Sequence, residues 1–357
     1  MDKVKIGVVG LIRGASVIAG VVGEKNVEVT AICDKDPQVL ERAYQRLRKA
    51  GAENVVCYED YDTMLAQADL DAVYVVTYAS DHVSFVVKAL NAGKHVLSEI
   101  PTVATVEEVK ILKDAVNSHP ELKYMAGENC CYWGFIEAWK KMFEAGKFGD
   151  VVYAESEYLH SLKPEEIKPY ENPNHWRRYL FAIKYLTHNL GPLLYVMDDE
   201  VVSVTCMEPD TVYNPHKLGV ENGVALFKTA KGAVIRILIS FGSYCKNGHR
   251  FRIMGTKGTI ETGFDQRTHS FAAFDDIPGS KDAYIEIPIN DESFSIPGNA
   301  DGHGGADKKM VLDFIRCIIE DKQPELDVDM GIKMTLPGII AHDSAAQGGT
   351  ALEIPKF

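Results

Sequence analysis

The sequence predicts a doubly wound parallel α/β sheet in an N-terminal domain, followed by an α+β domain built on a large open antiparallel sheet. Three observations carry that expectation. Apolar β-branched runs alternate with amphipathic helical stretches through residues 1–126, the pattern of repeated βα units that gives a parallel sheet. After residue 127 the alternation gives way to period-two runs joined by short glycine turns, which read as antiparallel strands. At 357 residues the chain exceeds one ordinary domain, so two are expected. The boundary falls at 126/127. The second domain runs over 127–357, with its last helix and strand packing back on the first.

The chain opens on Val4-Lys5-Ile6-Gly7-Val8-Val9, an apolar run that breaks at Gly10. A glycine-bearing turn follows, and Ser16 to Val22 reads as the start of a helix. Strand, tight turn and helix put backbone N–H groups at a helix N-terminus, where a pyrophosphate can sit. Aligned to G-x-G-x-x-G/A, the positions are Gly10, Ile12 and Ala15. Ile12 thus stands where the second glycine lets the backbone approach the pyrophosphate. Arg13 and Gly14 reshape the turn, with Arg13 in reach of a phosphate. A second apolar run, Val27 to Cys33, ends at Asp34. An acid about 20 residues after the turn bonds the hydroxyls of an adenine ribose and repels a 2′-phosphate, so the reading favours NAD over NADP.

Pro37 to Ala50 is a helix with Leu40, Ala43, Tyr44 and Leu47 on one face. Val55 to Tyr58 is a short strand and Tyr61 to Ala68 a short helix. Asp71 to Thr77 is an apolar strand ending in a polar residue. Asp81 to Ala92 is a helix stopped by Gly93, and His95 to Ser98 a strand that ends at Glu99-Ile100-Pro101. The helix Thr105 to Val116 opens with a capping box, Thr105 to Glu108. Tyr124 to Ala126 is the last strand, leading to Gly127-Glu128-Asn129. Ligands of such sheets bind at the carboxyl ends of the strands. That edge gathers Asp34, Thr77, Tyr78, His82, Glu99, Glu128 and Asn129, each of which also has a plainer reading as a cap or turn residue.

In the second domain Phe135 to Ala145 is a helix, and Val151 to His160 alternates with Val152, Ala154, Ser156, Tyr158 and His160 on one face. Val201–Met207, Gly223–Thr229, Ala233–Phe241 and Arg250–Met254 follow as strands. Between the first two lie a polar loop, Leu162 to Arg178, and a helix-like stretch, Tyr185 to Met197. Residues 265–304 read as loops, ending in Gly302-His303-Gly304-Gly305. Asp307 to Glu320 is an amphipathic helix. A last helix, Met330 to Ala346, and a strand, Leu352 to Pro355, finish the chain.

A net charge of −13 with no offsetting basic stretch argues against a nucleic acid or an anionic membrane as partner. No apolar run approaches the ~20 residues that span a bilayer, and no signal peptide is expected. Seven scattered cysteines, an odd count, suit a reducing cytoplasm. No zinc-type spacing occurs, so no metal is expected.

The N-terminal unit, the Glu-x-Pro turn and the change to an antiparallel second domain resemble the Gfo/Idh/MocA family of NAD(P)-dependent sugar oxidoreductases over essentially the whole chain. A narrower set of motifs is similar to glycoside hydrolase family 109, whose members are glycosidases that keep a tightly bound NAD. These motifs are Glu128-Asn129-Cys130-Cys131-Tyr132, Gly146-Lys147-Phe148-Gly149, Glu155-Ser156-Glu157-Tyr158-Leu159-His160 and Tyr185-Leu186-Thr187-His188-Asn189-Leu190-Gly191-Pro192. Glu99-Ile100-Pro101 fits as well. The dehydrogenases of the wider family usually carry a proton-transferring lysine where this chain has Ile100. The chain is shorter than typical family 109 members, mainly before His188, so their specificity loops are not carried over.

The resemblance implies an active site in a cleft between the domains. It implies NAD as cofactor, held by Gly10, Ile12, Arg13, Gly14, Asp34, Thr77, His82, Glu99, Glu128 and Asn129. With no lysine at position 100, proton transfer falls to His188 first and Tyr158 second. His160, Arg178, Tyr185 and His303 are the candidate sugar contacts. The implied reaction is oxidation of a ring hydroxyl of a sugar or glycoside, at C3 by resemblance. An alternative is redox-neutral glycoside cleavage by transient oxidation, elimination, water addition and re-reduction. A reading of another class is a non-catalytic, NAD-gated sugar sensor. By resemblance only, the open sheet implies a homodimer or homotetramer.

Overall fold

The computed structural model describes residues 3–161, 181–210, 221–263, 269–288 and 303–357. It divides into two compact units: Met1–Asn129 with Ile296–Ile332, and Cys130–Ser295 with Lys333–Phe357.

The first unit is a six-stranded sheet of β1 (Val4–Val9), β2 (Val27–Cys33), β3 (Val56–Tyr58), β4 (Ala72–Val75), β5 (His95–Glu99) and β6 (Tyr124–Gly127). Its order is β3-β2-β1-β4-β5-β6, and every pairing is parallel. The order reverses beside β1, which makes the ends of β1 and β4 the switch point where such sheets bind ligands. Strands β1, β4 and β6 are buried almost throughout, as expected of strands covered on both faces by helices. The helices are α1 (Leu11–Ala19), α2 (Pro37–Ala50), α3 (Tyr61–Gln67), α4 (His82–Asn91) and α5 (Val106–Asn117). Asp36 caps α2 through the N–H groups of Gln38 and Val39, and Gly51 closes it in the left-handed region. Thr105 caps α5 as expected, its Oγ1 accepting from the N–H of Glu108, while the return bond falls one residue earlier: Glu108 Oε2 accepts from the N–H of Ala104 at 2.7 Å.

One local expectation changes. Helix α1 begins at Leu11, directly after Gly10, and not at Ser16. Gly10 makes the turn alone at φ 86°, and a Cβ there would lie 2.3 Å from the carbonyl oxygen of Val76. Gly14, not Ala15, supplies the close helix–strand packing: a Cβ on it would lie 2.8 Å from Val8 Cγ1 and 3.2 Å from Val76 Cγ2. The working spacing is therefore Gly10-x-x-x-Gly14. Ile12, placed by the longer template against a pyrophosphate, lies on the outer side of the first helical turn and is 79% exposed.

The second unit carries β7 (Val151–Leu159), β8 (Val201–Met207), β9 (Asn222–Thr229), β10 (Val234–Ser240), β11 (Gly248–Gly255), β12 (Gly258–Thr262), β13 (His269–Phe274), β14 (Ile285–Pro288) and β15 (Leu352–Glu353). They form one sheet in the order β14-β13-β12-β11-β7-β10-β9-β8-β15. The sheet is mixed: β7 and β10 pair in parallel, and the other pairings are antiparallel. Its helices are α6 (Gly134–Glu144) and α7 (Thr187–Met197). Helix α8 (Ala306–Ile319) belongs to the first unit, while the last helix, α9 (Val328–Ala346), passes from the first unit into the second after Ile332. The terminal strand extends the second sheet, pairing Leu352 with Val204 and Glu353 with Ser203. Among the described residues no helix is long and apolar enough to cross a membrane.

Candidate functional site

In the first unit the strand ends build a dinucleotide cradle. The turn at Gly10 has no room for a Cβ, and α1 follows without a side-chain cap or an acid in its first turn. That leaves the positive end of the helix to a phosphate. Asp34 closes the neighbouring side. Its Oδ2 accepts from the N–H of Leu11 at 2.9 Å and its Oδ1 from the N–H of Asp36 at 3.0 Å. A carboxylate oxygen has two lone pairs, so capacity for ribose hydroxyls remains. At the end of β4, Thr77 Oγ1 is buried with no hydrogen-bond partner among the described residues. A glycine-only turn, a helix start with no acid in its own first turn, the Asp34 carboxylate beside it and an unsatisfied hydroxyl fit a dinucleotide.

Other residues expected at the cofactor have internal work. The ring nitrogens of His82 lie 2.9 Å from the carbonyl oxygen of Pro101 and 3.0 Å from that of Thr77. His82 therefore braces the chain after β4 and β5 from within the fold, at 2% exposure. Arg13 does not point to a free phosphate position. Its Nε donates to Glu99 Oε1 and its Nη2 to Asp307 Oδ1, both at 2.9 Å. Glu99 Oε1 also accepts from Tyr74 OH. Asn129 Nδ2 donates to Asp307 Oδ1 at 2.7 Å, and His303 Nδ1 to Asp307 Oδ2 at 3.2 Å.

Asp307, at the start of α8, is thus the hub that gathers Arg13, Asn129 and His303. Burial pushes its carboxyl up, but the hydrogen bond from His303 and the charge of Arg13 outweigh burial and hold it well below its usual range. Burial opposes the charge on Arg13 too, and the carboxylate of Glu99 overcomes it. Ile100 is buried and offers no titratable group where a lysine would stand. Glu128 is fully buried.

In the second unit the expected proton-transfer residues come together. Tyr158 and His160 project from β7 and its end, and His188 sits in the first turn of α7. Tyr158 and His188 meet edge to face with ring centroids 5.9 Å apart. Tyr185 meets His188 at 5.1 Å, and His160 meets Tyr158 at 6.0 Å. Helix α7 is anchored beneath them by Asn189 Nδ2, which donates to Ser156 Oγ. Pro192 lacks the N–H that would bond the carbonyl of His188 four residues earlier, while the N–H groups of Asn189 and Leu190 close the first turn on the carbonyl of Leu186. The ring nitrogen Nδ1 of His160 is buried with no partner among the described residues.

Two neighbours are additions to the sequence reading. His249 on β11 lies opposite Tyr158 in register, and the rings stack with centroids 4.1 Å apart at 21°. Extending the alternation of Phe251 and Ile253 back by two residues would have found it. Cys130 Sγ lies 3.3 Å from His188 Nδ1; the motif Glu128-Asn129-Cys130-Cys131-Tyr132 contains it but gives no sign of that partner. Arg178 falls outside the described residues.

Residues 4–127 match the Gfo/Idh/MocA oxidoreductase description of an NAD-binding Rossmann fold, and residues 140–353 match that family's C-terminal α/β domain. A glycosyl hydrolase family 109 protein of Streptomyces filamentosus is 30% identical over 100% of this chain and 78% of its own length. One of Solibacter usitatus is 28% identical over 99% of this chain and 88% of its own. Among solved structures, an oxidoreductase domain protein from Kribbella flavida superposes with a TM-score of 0.86 at 21% identity, covering 100% of both chains. A levoglucosan dehydrogenase in complex with NADH and levoglucosan does so with a TM-score of 0.84 at 20% identity, over 99% of this chain and 100% of its own.

Proposed function

The chain belongs to the Gfo/Idh/MocA family of oxidoreductases with an NAD-binding Rossmann fold, and from that premise we propose that it oxidises a ring hydroxyl of a sugar or glycoside with NAD. The observation that carries the reading is the Tyr158–His188 pair, two proton-bearing rings 5.9 Å apart with the buried Nδ1 of His160 beside them. NAD, when bound at the Gly10 turn and Asp34, supplies the hydride acceptor that side chains lack. Tyr158 and His188 manage the hydroxyl proton, a task general acid–base groups perform when within reach of the reacting oxygen. His160 and Tyr185 orient the sugar. Arg178 and His303 are the remaining candidate contacts, and the fit of His303 depends on its bond to Asp307.

A second reading is favoured by the identity to family 109 proteins over the whole chain. In it the sugar is oxidised, loses its C1 substituent, adds water and is reduced again, with no net change in cofactor. The same Tyr158 and His188 serve both readings. An assay separates them. Purified protein is denatured to release and quantify NAD(H); native protein is given NAD and a panel of sugars and aryl glycosides while NADH absorbance and aglycone release are followed together. Net NADH without free aglycone establishes the dehydrogenase. Free aglycone without net NADH establishes the glycosidase. An NAD-holding protein in which neither signal appears, and in which His188→Ala changes no ligand response, is the sensor.

No two of the seven cysteines form a disulfide with each other, which supports a reducing, cytoplasmic setting. One face of the second sheet carries exposed Met207, Val224, Leu226 and Met254. Beside them runs a ladder of charges in which Arg236 bridges Glu155 and Glu157 at 2.9 and 2.8 Å, and Arg252 meets Glu155 at 3.0 Å. This face supports a homodimer or homotetramer, which light scattering after size exclusion would establish.

A further inference from the structure

We propose that Cys130 is a positioning residue for His188: its thiol donates to Nδ1, so the neutral ring carries its proton at Nε2. The inference rests on the proton-transfer role given to His188 above. Cys130 Sγ and His188 Nδ1 are 3.3 Å apart, at 1% and 7% exposure, where water competes little. A sulfur accepts hydrogen bonds poorly, whereas the bare nitrogen of a neutral imidazole accepts them well. S–H···N therefore uses both groups better than N–H···S.

The ring is also caged. Tyr158, Tyr185 and His249 stand nearly perpendicular to it, at 79°, 87° and 86°, with centroids 5.9, 5.1 and 6.3 Å away. The cage fixes the plane of the imidazole, and the thiol fixes which nitrogen carries the proton. Such a partner on one nitrogen decides the role of the other.

The consequence is a division of labour. A neutral His188 with Nε2–H meets the reacting oxygen as a hydrogen-bond donor. Removal of the hydroxyl proton then falls to Tyr158, reversing the order in which the sequence ranks the two. Cys130, which the sequence shows only as one member of the Glu128-Asn129-Cys130-Cys131-Tyr132 motif, thereby gains a chemical task.

The test reads the tautomer directly. The protein is labelled with ¹⁵N-histidine, and long-range ¹H–¹⁵N correlations are recorded with the rings neutral. His188 is assigned among the 11 histidines by its loss in His188→Gln. The Nε2–H pattern is expected in the wild type and in Cys130→Ser, which keeps a donor. A shift toward the Nδ1–H form is expected in Cys130→Ala. In sugar oxidation kcat of Cys130→Ala falls about tenfold, the effect of one lost hydrogen bond, and Cys130→Ser restores it to within about threefold. An Nδ1–H wild type, or an unchanged Nε2–H pattern in a folded Cys130→Ala, overturns the proposal. If Cys130→Ala does not fold, the wild-type tautomer alone decides. A tautomer that follows the thiol in a protein that oxidises no sugar upholds the positioning role while refuting the proposed function.

Discussion

Replacing Asp307 by Ala removes the acceptor for three side chains at once. Arg13 Nη2 at 2.9 Å, Asn129 Nδ2 at 2.7 Å and His303 Nδ1 at 3.2 Å all lose it. A hydrogen bond to a charged group contributes about 1.5–3 kcal/mol and an ordinary one about 1 kcal/mol. Arg13 keeps Glu99, so its charge is not stranded and the full penalty for breaking a buried pair is not reached. The side chain of Arg13 is a third exposed, which trims its share further. The expected loss is about 3 kcal/mol for Asp307→Ala, and roughly half that for Asp307→Asn, which keeps one oxygen.

Trp133 and Trp139 lie in the second unit, so their fluorescence would not follow unfolding of the first. Native-state hydrogen exchange of the amides of β5 and α1 is the suitable assay. A loss below about 1 kcal/mol, or no coupling between Asp307→Ala and Arg13→Ala in a double-mutant cycle, would refute the hub. The pH dependence has a definite sign. The folded carboxyl lies below its ordinary value of 3.8, so its contribution is fully present above that value. It disappears only as pH falls through the folded value. The gap between wild type and Asp307→Asn should thus be flat above about pH 5 and narrow in stronger acid.

Four further outcomes follow from the geometry. Gly10→Ala should cost about 3 kcal/mol or more and abolish NAD binding in calorimetry, because a positive φ and a backbone clash at 2.3 Å coincide. Gly14→Ala meets the buried Cγ1 of Val8 at 2.8 Å and Cγ2 of Val76 at 3.2 Å, side chains and not backbone, and should cost about 1–3 kcal/mol while retaining the cofactor. Asp34→Ser should weaken NAD about tenfold and erode its preference over NADP, since one carboxylate both excludes a 2′-phosphate and holds the N–H of Leu11; unchanged dissociation constants for both would count against the cradle. Tyr158→Phe and His188→Gln should each lower kcat at least about 100-fold with NAD affinity intact, and activity within threefold of wild type would remove either from the proton path.

The strands and most helices were legible because burial writes its period into the sequence, and the βα order of the first unit left few other topologies. The departures share one cause: each depends on a partner far along the chain. The Gly10 turn was read against a longer template because the carbonyl of Val76, which forbids a Cβ there, lies 66 residues away in sequence. The parallel pairing of β7 with β10 has no sequence signal, since a strand's period is the same in either direction. Polar residues at strand ends marked where the site lies but not their partners. Arg13 finds Asp307 across 294 positions, and Cys130 finds His188 across 58. The turn sequence alone sets Arg13 beside a phosphate, whereas in the fold its guanidinium bonds two carboxylates, Glu99 and Asp307. A side chain's chemistry is set by residue type, but its role is set by whichever group the fold brings to within about 3 Å, and only the assembled sheets supply that neighbour.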